Sequence, residues 1–380
     1  MTHTSLINED WQSIVERLGG ADALAASARE TKAFLRPRVI GSAADLLRVI
    51  LAYCLGERGL RLTCVWASAS GLADISNVAL LKRLRGCGDW LSLLIGGVLS
   101  GYAPAAGEGR LIRLIDATNV PQAGAAARKK NRLWRVHSAF DLPGERFGHF
   151  ELTDQQGAER LDRIPVVAGE IRIADRVYLH PERIAAVLEA GADIVVRAGW
   201  KSAGWLDETG AALDLPGLLR ESARTGRIDR PIRLAGKNHG PLALRLVAVR
   251  KSPEAAAAAR RKARRAAQRG GHQISKDTLT AAEWVLLVTS LPAELPAGAA
   301  AQAGRETKTF STNDVLALYR LRWRIELGFK RLKSVIGLKG PPGGDERSAR
   351  PWVLAHLLMI LLLEPLVDAF EDSPRRAISA

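Results

Sequence analysis

Cysteine is scarce in this chain: Cys54, Cys64 and Cys87 are its three residues of that type in a sequence of 380. They are too few and too widely spaced for a disulfide framework or a zinc motif, which fits a reducing cytosol, and they read as buried apolar residues. A long hydrophobic run is missing as well. The longest, VLAHLLMILLLEPLV from 353 to 367, is interrupted by His356, Glu364 and Pro365, and it falls short of the roughly 20 apolar residues that a spanning helix needs. It therefore predicts a buried helix and no membrane partner. The opening MTHTSLINEDWQS has no basic start followed by an apolar stretch, so no signal peptide is expected and the expected location is cytoplasmic. Acids are in deficit, with 40 Asp and Glu against 55 Lys and Arg and a net charge of +15. Charge of that sign points to an extended polyanion as partner, although a membrane surface would attract it too.

With 47% hydrophobic residues the chain has material for two or three domains with a real core. Residues 1 to 105 read as helical, with a period near 3.6 in AADLLRVILAYCLGE and in NVALLKRLRGCGDWLSLLIGGVL. Between these, Gly71 separates two short helical patterns, and Ser76 or Asn77 can cap the second. That is the layout of a helix-turn-helix, with Lys82, Arg83 and Arg85 on or beside its second helix, although an ordinary pair of packed helices explains it as well.

From about residue 110 the pattern changes. RLIRLIDATNV reads as an apolar strand ending on Asp116, and RVHSAFDL and RFGHFELTDQ as the next two strands, joined through LPGE. GAERLDRIPVVAG looks helical, IRIADRVYL reads as a strand with Asp175 near its end, HPERIAAVLEAG as a helix and ADIVVRAGW as a strand. Three strands followed by alternating helix and strand predict a mixed α/β sheet. Residues 201–285 break this rhythm with the strand-like RPIRLAG, LALRLVAVRK and EWVLLVTSLP, and with the basic run RRKARRAAQRGG. In that run Arg260, Arg261, Lys262, Arg264 and Arg265 are candidates for phosphate contact, the alternative being a solvated loop.

One helix is expected over 312–336, started by Ser311 or Thr312 and ended by Gly337, Lys339, Pro341 and Pro342. Its segment YRLRWRIELGFKRLK holds six basic residues and a single acid, Glu326. On a helix, Tyr319, Arg322, Glu326, Lys330 and Lys333 share a stripe under about 90° wide, while Leu318, Leu321, Ile325, Phe329, Leu332 and Ile336 form a second stripe. Alone, this is a solvated amphipathic helix with ion pairs worth about 0.2–0.5 kcal/mol each. Asp116 and Asp175 alter that reading. Strand-end aspartates often cap turns, but two of them at the carboxyl edge of a sheet, with a glutamate from a helix, are the oxygen ligands that hard divalent cations require. Two such ions about 3.5–4 Å apart can activate the attacking oxygen and stabilise the leaving one at phosphorus.

The residues Tyr319, Arg322, Glu326 and Lys333 match the signature Y, two residues, R, three residues, E, six residues, K of bacterial insertion-sequence transposases of the DDE class, called YREK. LIDATNV resembles the first aspartate block of that family, and IADRVY resembles the second, a D-R-x-Y pattern. WRVHSAFDL and LTDQQGAERL are similar to the segments between those blocks, and the resemblance covers about residues 30 to 370.

The resemblance implies an α/β fold, an RNase H-like mixed sheet with a β-rich insertion domain and a helical N-terminal domain. The implied divisions are a DNA-binding domain over 1–105, a catalytic domain over 106–200 and 286–340, an insertion over 201–285 and a C-terminal helical segment over 341–380. Asp116, Asp175 and Glu326 become the catalytic triad holding two Mg²⁺ (or Mn²⁺) ions, and Tyr319, Arg322 and Lys333 grip the DNA strand; Lys330, on the same stripe, is a DNA-binding candidate by its position. Trp284, on the last strand of the insertion, is placed to stack a flipped base, which recovers about 1–3 kcal/mol of lost stacking; a core tryptophan is the alternative. The implied partners are double-stranded DNA, as inverted-repeat ends and as target, and a second copy of the chain in the DNA complex, associated with the nucleoid. The implied reaction is cut-and-paste transposition through a hairpin intermediate. A metal-dependent nuclease on the same fold and a catalytically inactive DNA-binding derivative remain as rivals.

Overall fold

Three blocks of distinct patterning, helical, alternating and helical again, fold into helices packed on both faces of one sheet. In a computed structural model the described residues are 11–371, apart from 57, 102–109, 122–132, 143, 294–308, 335, 339 and 343–344. The expectations for residues 1–10, for Lys339, for the boundary at 105/106 and for most of EDSPRRAISA lie outside them.

Six helices come first: α1 (Trp11–Arg17), α2 (Gly20–Glu30), α3 (Ala43–Leu55), α4 (Leu60–Ala69), α5 (Asn77–Arg85) and α6 (Gly88–Ser100). Ser42 and Ser76 cap α3 and α5 by accepting from the backbone N–H groups of Asp45 and Ala79. Almost every residue of α3 is buried, because the last helix, α13 (Glu346–Glu371), packs on α3, α5 and α6. Residues 351–362 of α13 are buried throughout, the environment read from their apolar run. Among the described residues no helix is long and apolar enough to cross a membrane. Arg85 with Asp345 at 2.8 Å and Arg350 with Asp89 at 2.7 Å tie α5 and α6 to the start of α13.

The nine strands are β1 (Ile112–Pro121), β2 (Leu133–Leu142), β3 (Arg146–Thr153), β4 (Ile171–Ala174), β5 (Asp193–Arg197), β6 (Trp205–Leu206), β7 (Arg227–Leu234), β8 (Leu242–Arg250) and β9 (Trp284–Thr289). They form one mixed sheet in the order β3-β2-β1-β4-β5-β9-β8-β7-β6, with β1, β4 and β5 parallel and the other neighbours antiparallel. Alternation with period two sends Leu114, Ile173, Val195 and Val247 to one face and Ile115, Ala174, Val196 and Leu246 to the other. The first face is covered by the terminal helices and by α11 (Thr312–Arg320) and α12 (Trp323–Ser334), the second by α7 (Pro181–Glu189) and α8 (Leu215–Glu221).

Four expectations need correction. The segment 201–285 does not build a sheet of its own: β9 pairs with β5 on one side and β8 on the other, so β6, β7 and β8 extend the same sheet, and the expected boundary at 285/286 falls inside β9. The basic run is a helix, α9 (Pro253–Arg269), followed by α10 (Lys276–Ala282). GAERLDRIPVVAG is not helical, because buried Arg172 takes its carbonyls instead: its guanidinium donates to Leu161 O at 2.5 Å and Pro165 O at 2.6 Å. The helix expected over 312–336 breaks into α11 and α12. The turn between them is closed by three-residue bonds, from the N–H of Leu321 to Leu318 O, of Arg322 to Tyr319 O and of Arg324 to Leu321 O.

Gly328 lets α12 sit close to the sheet. A Cβ there would lie 2.8 Å from Cζ of Phe147 and 3.3 Å from Cε2 of Phe140, rings that pack edge to face. Gly328→Ala is expected to destabilise the chain by about 1–3 kcal/mol of overpacking, after any gain in helix propensity, in urea unfolding. A net stabilisation would mean that the two rings have room to retreat.

Candidate active site

Asp116 lies in the middle of β1 and not at its end, because pairing with β2 continues from Asp116 opposite Ser138 to Pro121 opposite Leu133. Its other neighbour, β4, stops earlier: Ile115 pairs with Ala174, and the next residues along the two parallel strands are Asp116 and Asp175. The register thus brings the two aspartates side by side on the sheet edge where β4 ends. Asp175 precedes a 3₁₀ turn, Arg176–Tyr178.

Glu326 comes from the first turn of α12, which packs on β1 and buries Ile325 and Phe329 in the core. It does not touch the aspartates directly. Arg322, in the break between α11 and α12, donates to Oδ2 of Asp116 at 3.4 Å through Nη1 and to Oε1 of Glu326 through Nη2. The expected i,i+4 pair is therefore present, and its cation is shared with the sheet. Among the described residues no three His, Cys, Asp or Glu side chains are gathered tightly enough to ligate one ion. The reason is visible in the ion pairs: a guanidinium stands between two of the carboxylates, and the Glu326 side chain is 56% exposed.

Burial pushes the Asp116 carboxyl up to about 6 against the lowering effect of the Ala117 N–H and Arg322, and the neighbouring charges of Glu159 and Asp175 push in the same direction. Burial also raises Glu159, whose Oε1 lies 3.4 Å from Nε of Arg135. Asp175 has Arg197 of β5 at 3.9 Å, yet its Oδ1 is buried without a hydrogen bond. The hydroxyls of Tyr178, Tyr319 and Ser138 are buried and unpaired too, and Ser138 is the cross-strand neighbour of Asp116. Hard oxygen donors surrounded by unsatisfied hydroxyls fit a hydrated divalent cation, Mg²⁺ or Mn²⁺, better than a soft metal.

The remaining expected residues are distributed around this centre. Tyr319 lies in the last turn of α11, half buried, while Lys330 and Lys333 are exposed and line an open depression with Thr118, Glu326, Phe329 and Ser334. Trp284 is only 3% exposed, within the apolar cluster on the far face, so it occupies the core position and its indole is not open to a base. Arg260 is paired with Glu283 at 2.6 Å, so it is spoken for. Arg261, Lys262, Arg264 and Arg265 are exposed, and Arg261, Lys262 and Arg265 share one concave face of α9 with Gln268 and Arg269. Arg85, assigned from sequence to the helix-turn-helix, is held by Asp345 and Ser348. Sequence reasoning gave no role to Glu159, Arg197, Tyr178 or Trp323. Only the last two carried a signal, Tyr178 as the tyrosine of D-R-x-Y and Trp323 as an indole in a charged string; Trp323, 52% exposed, is the first residue of α12, next to Arg322.

Residues 107–339 match the family model described as "Transposase DDE domain". The chain is also 36% identical over 378 residues to the "Transposase for insertion sequence element IS421" of Escherichia coli, covering 97% of each chain. It is 36% identical over 377 residues, again 97% of each, to the protein of Escherichia coli strain K12 described as "Putative transposase InsL for insertion sequence element IS186A".

Because the folded protein raises the Asp116 carboxyl above its ordinary value, the associated stability is present below about pH 4 and lost as pH rises through about 6. Asp116→Asn, which carries no charge to bury, is expected to stabilise the metal-free protein at pH 7 by on the order of 2–3 kcal/mol, with the gain vanishing near pH 4. Urea unfolding at the two pH values measures this; an equal gain at both would assign the effect to something other than the charge.

Proposed function

The chain belongs to the family of transposases with a DDE domain, and from that premise we propose that it binds the ends of an insertion sequence, cuts DNA there by metal-dependent phosphoryl transfer and joins the ends to target DNA. The observation that carries the reading is the β1–β4 register, which sets Asp116 beside Asp175 facing the helix that carries Glu326. In this reading the sheet and α12 are the RNase H-like catalytic core, and Asp116, Asp175 and Glu326 hold two divalent ions. Those ions supply Lewis-acid activation of the attacking oxygen and stabilisation of the leaving one.

The protein's own residues do the rest. Arg322 is the internal counter-charge of the carboxylates, and a backbone phosphate arriving at the site draws its guanidinium away, leaving Asp116 and Glu326 free to bind cations. Lys330 and Lys333, on the same helix, hold the neighbouring phosphates, and Tyr319 supports Arg322 from α11. Half-exposed Trp323 is the indole available for stacking on a displaced base. Water attacks the phosphorus at the element's end and releases a 3′-OH. That hydroxyl attacks the opposite strand to give the hairpin, and after opening it attacks the target. Two copies act on two ends.

Asp116→Ala, Asp175→Ala and Glu326→Ala are each expected to abolish Mg²⁺- or Mn²⁺-dependent cleavage of inverted-repeat DNA with binding retained; undiminished cleavage by Glu326→Ala would sink the assignment. Formation of paired-end complexes and joined products separates a transposase from a nuclease on the same fold. The exposed face of α9 makes its own prediction. Neutralising Arg261, Lys262, Arg265 and Arg269 should reduce the log-log salt slope of binding by about 0.9 per lost phosphate contact, while Arg260→Ala, already paired with Glu283, should leave it unchanged.

A further inference from the structure

The catalytic reading leaves the choice of DNA unexplained, and one surface of the N-terminal helices bears on it. Between α2 and α3 the chain runs LRPRV, residues 35–39, without regular structure. The segment is pinned at both ends by buried Phe34 and Ile40, and everything between them is exposed, Leu35 by 60% and Val39 by 55%. Neither Arg36 nor Arg38 has an acid or carbonyl partner for its guanidinium among the described residues, whereas Arg85, Arg350 and Arg113 are all engaged. Pro37 fixes the backbone between them and removes a donor.

Position gives the loop its meaning. Ile40 forms an antiparallel bridge with Ala73, which lies in the turn between α4 and α5. The arginine pair is therefore fastened to the turn of the helix-turn-helix, close to the start of α5, where Val78 and Lys82 are exposed. A helix that enters the major groove by its first turns leaves the adjoining minor groove within reach of such a loop, and paired arginines next to a helix-turn-helix read that groove in other DNA-binding folds. A planar guanidinium fits the narrow, strongly negative minor groove of A·T tracts, and the apolar flanks Leu35 and Val39 suit its walls.

We propose that Arg36 and Arg38 enter the minor groove of A·T-rich duplex DNA beside the segment read by α5, giving the N-terminal domain part of its sequence preference. The proposal rests on the reading that the chain binds DNA ends and goes beyond it. The full chain is titrated by fluorescence anisotropy against labelled duplexes of equal length whose centre is A·T, G·C or I·C. An I·C pair presents the minor groove of A·T and a major groove like that of G·C.

The expected result is a preference of about tenfold for the A·T duplex over G·C, with I·C binding like A·T and a distamycin-class minor-groove ligand competing. Arg36→Ala/Arg38→Ala should bring all three duplexes to the G·C level. Arg36→Lys/Arg38→Lys should lose the preference while keeping the salt slope, a readout that misfolding would not produce. Equal binding of the native chain to all three duplexes, I·C behaving like G·C, or a preference unchanged in the double variants would overturn the arm alone. Failure of the native chain to bind any duplex would overturn the end-binding reading with it.

Discussion

The parallel ladder between β1 and β4 is the constraint on which the candidate active site depends. Register there is a matter of backbone hydrogen bonds, and a slip of one residue would send Asp175 to the opposite face from Asp116. The ladder is held at its other end by buried charge. Arg113 of β1 pairs with Asp141 of β2 at 2.7 Å and with Glu170 at 3.1 Å, and Glu170 pairs with Arg172 of β4 at 2.5 Å. Such a network adds little over an apolar core of equal volume, yet removing one member strands the others and costs about 3–5 kcal/mol. A charged network therefore buys register here more than stability.

Much of this was legible in the sequence because alternation and helical period are local. The core strands, α7, the helical first block and the burial of α13 all follow from patterns within a dozen residues. The errors came from partners and breaks that periodicity does not register. GAERLDRIPVVAG has helical spacing, but Arg172, just beyond it on β4, captures its carbonyls, a side-chain claim on the backbone. RPIRLAG and LALRLVAVRK look like a separate module until β9 is seen to pair on both sides. The break at Leu321–Arg322 carries no glycine or proline, so nothing in the string announces it. Asp116 and Asp175 were readable as strand-associated acids, while Glu159 and Arg197 were not, since neither stands in a pattern that singles it out.

Charge illustrates the same division. The net +15 says that the molecule favours a polyanion, but not which cations are free to meet it. Arg245 is bound to Asp229 at 2.6 Å and to the Phe310 carbonyl at 2.8 Å, fastening β7 and β8 to the start of α11. Arg250 and Arg260 share Glu283. Arginines of this kind are structural, and among the described residues the outward-facing ones of α9, α12 and the 35–39 loop are part of the charge left available. Arg322 belongs to both groups, since its partners are the carboxylates that a cation would claim.

The packing of α13 against α3, α5 and α6 also sets an order of events during synthesis. Chains generally fold from the N-terminus as they emerge from the ribosome, but here the first helices keep an open apolar seam until residues 351–362 arrive to close it. Those residues follow β1, β4 and α12 in the chain. The helical layer is finished last, so a polypeptide in which α3, α5 and α6 are fully covered is one in which the strands and helix of the candidate active site have already been made.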